Sequence, residues 1–143
     1  MRKTIATAES CTGGLLGALL TKTPGASEYY LGGVVAYQDR VKKTLLGVRS
    51  VTLQKHGAVS AETARQMARG IQKKLKADIG VSITGIAGPG GGTKEKPVGL
   101  VYIALADSKR TWCGRFIFSG GRERIRSQAV RKAFAWLKNR STP

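Results

Sequence analysis

The sequence predicts an α/β fold: one domain over residues 1–143, with a mixed β-sheet of about five or six strands packed by helices. Three observations carry this. As far as Thr84, β-compatible runs take turns with stretches whose apolar residues recur at helical spacing, the order that builds a parallel sheet with crossover helices. Residues 98–106 and 111–118 then read as successive strands joined by Asp107-Ser108-Lys109-Arg110, a hairpin signal. Glycines cluster at element ends rather than in repeats.

Residues 4–8 form the first strand, and the apolar spacing of Leu15, Leu16, Leu19 and Leu20 predicts a helix over 13–22. Thr23-Pro24-Gly25-Ala26-Ser27 has turn chemistry. Residues 31–37 read as a buried strand whose Gly32 and Gly33 suggest a close backbone approach. A short helix over 39–46 stops at Gly47, and 52–56 is a further helical turn. Ser60 caps a helix over 61–76 with Ala64, Met67, Ala68, Ile71 and Leu75 on one stripe. Residues 78–84 are apolar on both faces, as a central strand requires. A loop over 85–97 follows, and the closing helix over 122–139 turns Ile125, Ala129, Ala133, Trp136 and Leu137 inward.

Charge is the compositional outlier: 25 Lys and Arg against 8 Asp and Glu, formally +17. Such a field draws anions and can hold nucleic acid nonspecifically. No segment interleaves aromatic with basic residues as a single-strand groove does, so a solvated surface is the favoured reading. No apolar run spans a membrane and no hydrophobic segment follows Arg2 and Lys3, so neither a membrane span nor a signal peptide is expected. Cys11 and Cys113 make no disulfide framework, which points to a reducing cytoplasm.

The chemistry centres on Glu9-Ser10-Cys11-Thr12-Gly13-Gly14, between the first strand and helix. This places small polar side chains at the carboxyl edge of the sheet, with helix N–H groups facing an anion or oxyanion. The plainer alternative is a βα turn with Ser or Thr as helix cap. Ser10, Tyr37 and Thr84 follow three strands and converge on one crevice, within reach of Lys42. A nucleophilic serine needs a proton acceptor. His56 is the only histidine, so a Ser-His pair depends on it alone; a Ser-Lys pair needs a lysine made neutral by desolvation or nearby cations. If Ser10 faces the crevice, Cys11 faces the core.

The glycine loop from Thr84 through Gly85, Gly88, Gly90 and Gly91 offers unobstructed N–H groups for a phosphate or oxyanion. It is neither a P-loop nor a dinucleotide fingerprint. Arg122, Arg124 and Arg126 open the last helix, where an arginine can grip phosphate bidentately; a solvated face is the alternative. His56 has no partner at metal-ligand spacing, and no metal is expected.

Five motifs in order resemble the CinA C-terminal domain family across essentially the whole chain. They are Glu9-Ser10-Cys11-Thr12-Gly13-Gly14; Pro24-Gly25-Ala26-Ser27 with the run Gly32 to Tyr37; His56-Gly57-Ala58-Val59-Ser60 with Glu62-Thr63-Ala64; Ile83 to Gly91; and Glu95 to Gly99 with the ending Arg122 to Arg126. The resemblance implies an α/β/α sandwich and a nicotinamide-nucleotide amidohydrolase. Such an enzyme converts nicotinamide mononucleotide to nicotinate mononucleotide and ammonia in pyridine nucleotide recycling. Carried over, it makes Ser10 the nucleophile, Lys42 its partner, and Tyr37 and Thr84 supporting groups. Glu9, Thr12, Gly13, Gly14, Gly85, Gly88, Gly90, Gly91 and Arg124 are then expected to bind substrate. The stretch Gln38-Asp39-Arg40-Val41 departs from the Asn-rich form of the family. The family also implies no metal or organic cofactor and a homo-oligomer, expected to be a dimer. A non-catalytic nucleotide- or nucleic-acid-binding module on the same fold is the alternative.

Overall fold

The computed structural model describes residues 2–141. Five strands form one sheet in the order β2-β1-β3-β4-β5. β1 (Ile5–Glu9) pairs in parallel with β2 (Tyr30–Val35) and with β3 (Ile79–Gly85). β4 (Leu100–Ala106) and β5 (Thr111–Ile117) extend the sheet antiparallel from β3, as the hairpin signal predicts. The helices are α1 (Leu15–Thr21), α2 (Asp39–Leu46), α3 (Ser50–His56), α4 (Ala61–Leu75) and α5 (Arg122–Ser141), with a 3-10 turn at Ala26–Glu28.

Strand alternation divides the core into two layers. Ile5 of β1, with Val81, Ile83, Val101, Ile103 and Leu105, faces Leu16 and Leu20 of α1 and Ile125, Ala129 and Leu137 of α5. Ala6 and Ala8 of β1 face the opposite way, onto Leu46 of α2 and Met67 and Ile71 of α4. The alanines let α4 lie close to the sheet, and Ser82 Oγ donates to the Ala64 carbonyl at 2.6 Å, so this buried hydroxyl under α4 is satisfied. Ser60 caps α4 as expected, accepting from the Thr63 N–H at 3.1 Å.

One expectation is corrected. Residues 31–37 read as a buried strand, but β2 is a sheet edge whose residues alternate between half-buried and exposed. A run such as Leu31-Gly32-Gly33-Val34-Val35 cannot distinguish a central strand from an edge, because its glycines carry no side chain to report a face. The strand ends at Val35, so Tyr37 belongs to the connection into α2.

The topology decides where a site can form. β1 exits to α1 on one face and β2 exits to α2 on the other, which opens a crevice outside their carboxyl ends. Gly70 of α4 keeps α2 in place beneath it, for a Cβ there would collide with the Leu46 backbone carbonyl.

Candidate active site

Ser10 sits one residue past the end of β1 and is 8% exposed, its N–H bound to the Ile83 carbonyl of β3 at 2.9 Å. The chain then reverses tightly through Gly13 (φ +57°) and Gly14 (φ +104°), both in the left-handed region that favours glycine. Neither Ser nor Thr caps α1. Its N-cap is Gly14, and the cap is supplied by Glu9, the last residue of β1. One carboxylate oxygen of Glu9 accepts from the Leu16 N–H at 2.8 Å and from the Thr12 hydroxyl at 2.6 Å; the other accepts from the Gly17 N–H at 3.1 Å. An anion at a helix start is favourable on both counts, hydrogen bonding and dipole. Thus Glu9 and Thr12, expected at the substrate, turn inward and hold the shape of the Ser10–Gly14 turn. Arg126 of α5 closes it from outside, donating to the carbonyls of Cys11 at 3.0 Å and Thr12 at 3.4 Å. Cys11 faces the core, as strand alternation predicts, and burial pushes its thiol up to about 11.

Lys42 lies on the inward stripe of α2, four residues before Leu46, and is only 1% exposed. Its Nζ is 3.1 Å from Ser10 Oγ, 2.9 Å from the Ala36 carbonyl and 3.1 Å from the Tyr37 carbonyl. A neutral amine has two N–H donors and one lone pair. Here the Nζ donates to the two carbonyls, and its third partner is the Ser10 hydroxyl. Burial lowers the Lys42 pKa below its ordinary value, opposed by the Asp39 carboxylate 4.0 Å away. Desolvation, rather than the neighbouring cations of the sequence reading, is therefore the larger cause.

The remaining expected side chains make their hydrogen bonds away from Ser10 and Lys42. The Tyr37 side chain is exposed, and its hydroxyl accepts from Arg122 at 2.9 Å rather than touching Lys42. Thr84 Oγ1 donates to the Ala58 carbonyl at 2.8 Å, tying the end of β3 to the turn before α4. In the glycine loop, Gly85 is the last residue of β3, Gly88 is buried, and Gly90 and Gly91 are exposed. Arg122 reaches this loop, donating to the Gly88 carbonyl at 2.7 Å. Arg124 is exposed, its stem beside Gly120. The arginines that reach the crevice are therefore Arg122 and Arg126. A helical projection signals this: 122, 126, 129 and 133 share the stripe of buried Ala129 and Ala133, whereas 124 lies far round the helix. His56 is drawn to Glu62 (3.7 Å) and is not among the partners of Ser10. Among the described residues no three His, Cys, Asp or Glu side chains gather as a metal site. A cavity of about 550 Å³ lined by Ile5, Leu20, Tyr29 and Phe134 opens at the opposite edge of the sheet, where β1 begins.

Comparison with known proteins places this geometry in a family. The family model described as the CinA C-terminal domain matches residues 1–141. A putative competence-damage inducible protein of Caldanaerobacter subterraneus subsp. tengcongensis is 51% identical over 135 residues, covering 94% of this chain and 33% of that protein. A CinA-like protein of Thermotoga maritima is 51% identical over 137 residues, covering 96% and 33%. The chain thus spans about a third (33%) of the length of these curated relatives. Among solved structures, the competence/damage inducible protein CihA of Agrobacterium tumefaciens matches with a TM-score of 0.93 at 42% identity, over 96% of this chain and 84% of that one. The competence damage-inducible protein ComA of Klebsiella pneumoniae matches with a TM-score of 0.93 at 38% identity, over 96% and 86%. By sequence and by fold, the chain belongs to the CinA C-terminal domain family.

Proposed function

We propose that this chain hydrolyses the carboxamide of nicotinamide mononucleotide to nicotinate mononucleotide and ammonia, with Ser10 as nucleophile and Lys42 as its base. The observation that carries the reading is the 3.1 Å contact between a serine hydroxyl and a desolvated amine whose other partners are both carbonyls. Burial lowers the pKa of this lysine below its ordinary value, and its ion-pair partner, Asp39, stands 4.0 Å away. The resemblance of the motifs to the amidohydrolases of the family supplies the substrate.

The steps balance on these two side chains. Lys42 takes the proton of Ser10 as the serine oxygen attacks the carboxamide carbon. The N–H groups of Thr12 and Gly14, which have no acceptor among the described residues, are candidate donors to the tetrahedral oxyanion. One such donor is typically worth about 10²–10³ in rate. Collapse breaks the C–N bond, and the Lys42 ammonium gives its proton to the departing nitrogen, releasing ammonia. Water then attacks the acyl-serine, passing a proton to Lys42, which returns it to Ser10. The two carbonyls that hold the amine are ready for the transient ammonium, so the change of charge needs little rearrangement.

Ammonia release from nicotinamide mononucleotide by the purified, folded protein tests the reading. Turnover lost in Ser10→Ala and in Lys42→Ala supports it. Absence of release from the folded parent protein, or full turnover in Ser10→Ala, overturns it.

A further inference from the structure

The cavity of about 550 Å³ at the start of β1 lies at the opposite edge of the sheet from the Ser10 crevice, and neither Ser10 nor Lys42 lines it. Its size falls within the range of small-molecule sites, about 300–1,000 Å³. The floor is apolar and set by packing. Ile5 of β1, Leu20 of α1 and Leu137 of α5 are all buried there. Half-buried Tyr29 and Phe134 add two aromatic sides. The Tyr29 ring is pinned, because its hydroxyl donates to the Leu20 carbonyl at 2.7 Å. Water held against such a floor finds few hydrogen-bond partners, so an apolar ligand body that displaces it is favoured.

The charges around this floor are of one sign. Arg2, Lys3 and Lys138 line the cavity, and among the described residues no Asp or Glu does. The nearby Glu28 carboxylate meets Arg2 from outside, at 4.0 Å and with both side chains exposed, so it offsets little of that field. Two of the cations border the aromatic sides: the Arg2 guanidinium is 6.0 Å from the Tyr29 ring centroid, and Lys138 Nζ is 5.2 Å from that of Phe134. An anionic group and an apolar body are therefore served side by side. A cationic ligand is repelled, and a wholly polar anion makes no use of the floor.

We propose that this cavity is a second ligand site, which takes a small amphipathic carboxylate. The acyl or aryl body rests on Ile5, Leu20 and Leu137, and the carboxylate lies among Arg2, Lys3 and Lys138. This site stands independently of the amidohydrolase reading. A ligand there bridges β1, α1 and α5, the elements whose other parts build and brace the Ser10 turn, and so stabilises the folded chain by mass action.

Calorimetry, thermal unfolding and backbone amide NMR of the full chain test this, with octanoate and 4-phenylbutyrate as probes at millimolar concentration. Octylammonium and acetate are the controls, the first with the charge reversed and the second without the apolar body. At least one probe binds, raises the melting temperature and shifts the amides of Leu20 and Leu137, while both controls leave them in place. Tighter binding of octanoate assigns the site to acyl carboxylates, and tighter binding of 4-phenylbutyrate assigns it to aryl ones. In the double variant Lys3→Gln, Lys138→Gln the affinity of the bound probe falls about 3–10-fold, the size of two partly screened charges. Absence of binding by both probes overturns the proposal. So does octylammonium binding as tightly as octanoate, an affinity unchanged in the double variant, or shifts gathered around Ser10 and Lys42 instead.

Discussion

Glu9 and Leu16 are joined by a hydrogen bond of 2.8 Å from the backbone N–H of the second to the carboxylate of the first. The strand that delivers Ser10 thereby also caps the helix that follows it. A carboxylate that is 2% exposed and anchored three ways is expensive to remove. Glu9→Gln costs about 1–3 kcal/mol in thermal or denaturant unfolding, and turnover falls with it because the Ser10 turn loses its support. Unchanged stability in Glu9→Gln would show that the cap is not what holds this turn.

Replacing Lys42 with methionine separates chemistry from stability. Turnover drops by about 10²–10⁴, the range ascribed to a positioned general base. The pH dependence of unfolding also changes. The folded pKa of Lys42 lies below the ordinary 10.5, so between those two values the unfolded chain binds more protons. Stability of the parent protein therefore rises with pH across that window. Lys42→Met lacks this rise, and chemical unfolding measured from neutral to alkaline pH in both proteins compares the two slopes.

Asp39 opposes the desolvation of Lys42 by favouring its ammonium form. In Asp39→Asn that support is gone, the amine loses its proton more easily, and the acid limb of the kcat/KM profile moves to lower pH. A limb that moves up, or stays in place, would assign the limb to another group.

Cys11 stands next to Ser10 but is buried in the core. With its thiol pushed up to about 11 and its side chain in the core, it resists iodoacetamide at pH 8 in the folded protein and reacts on unfolding. Cys11→Ala retains turnover, whereas Ser10→Ala does not.

Gly70→Ala places a methyl group against the Leu46 carbonyl and pushes α2 away from α4. Such overpacking costs about 1–3 kcal/mol. Because α2 carries Lys42, the substitution lowers activity as well as the melting temperature. Loss of stability with full activity would mean that α4 rather than α2 yields.

Much of this was legible in the chain. Helical spacing located α4 and α5, the Asp107–Arg110 turn located the β4–β5 hairpin, and the order of elements placed Ser10 and Lys42 at one crevice. The amine itself carried a signal, a lysine four residues before Leu46 on the stripe of α2 that faces the sheet. Other features were hidden for physical reasons. The edge position of β2 depends on strand order, which Leu31-Gly32-Gly33 does not encode locally. The inward turn of Glu9 follows from strand parity combined with the position of α1, and neither alone reveals it. The choice of Arg122 and Arg126 over Arg124 required counting from Ala129 around the helix rather than matching a motif.

The grip of Arg126 on Cys11 and Thr12 ties the turn after β1 to α5, 115 and 114 residues away. On the ribosome, α5 emerges after every other element described here. The segment bearing Ser10 must therefore wait for α5 to gain its guanidinium brace, and a nascent chain that has not yet reached α5 holds the Ser10 hydroxyl in an unbraced loop. The shape of the Ser10 turn is thus a property of the assembled domain rather than of its own segment.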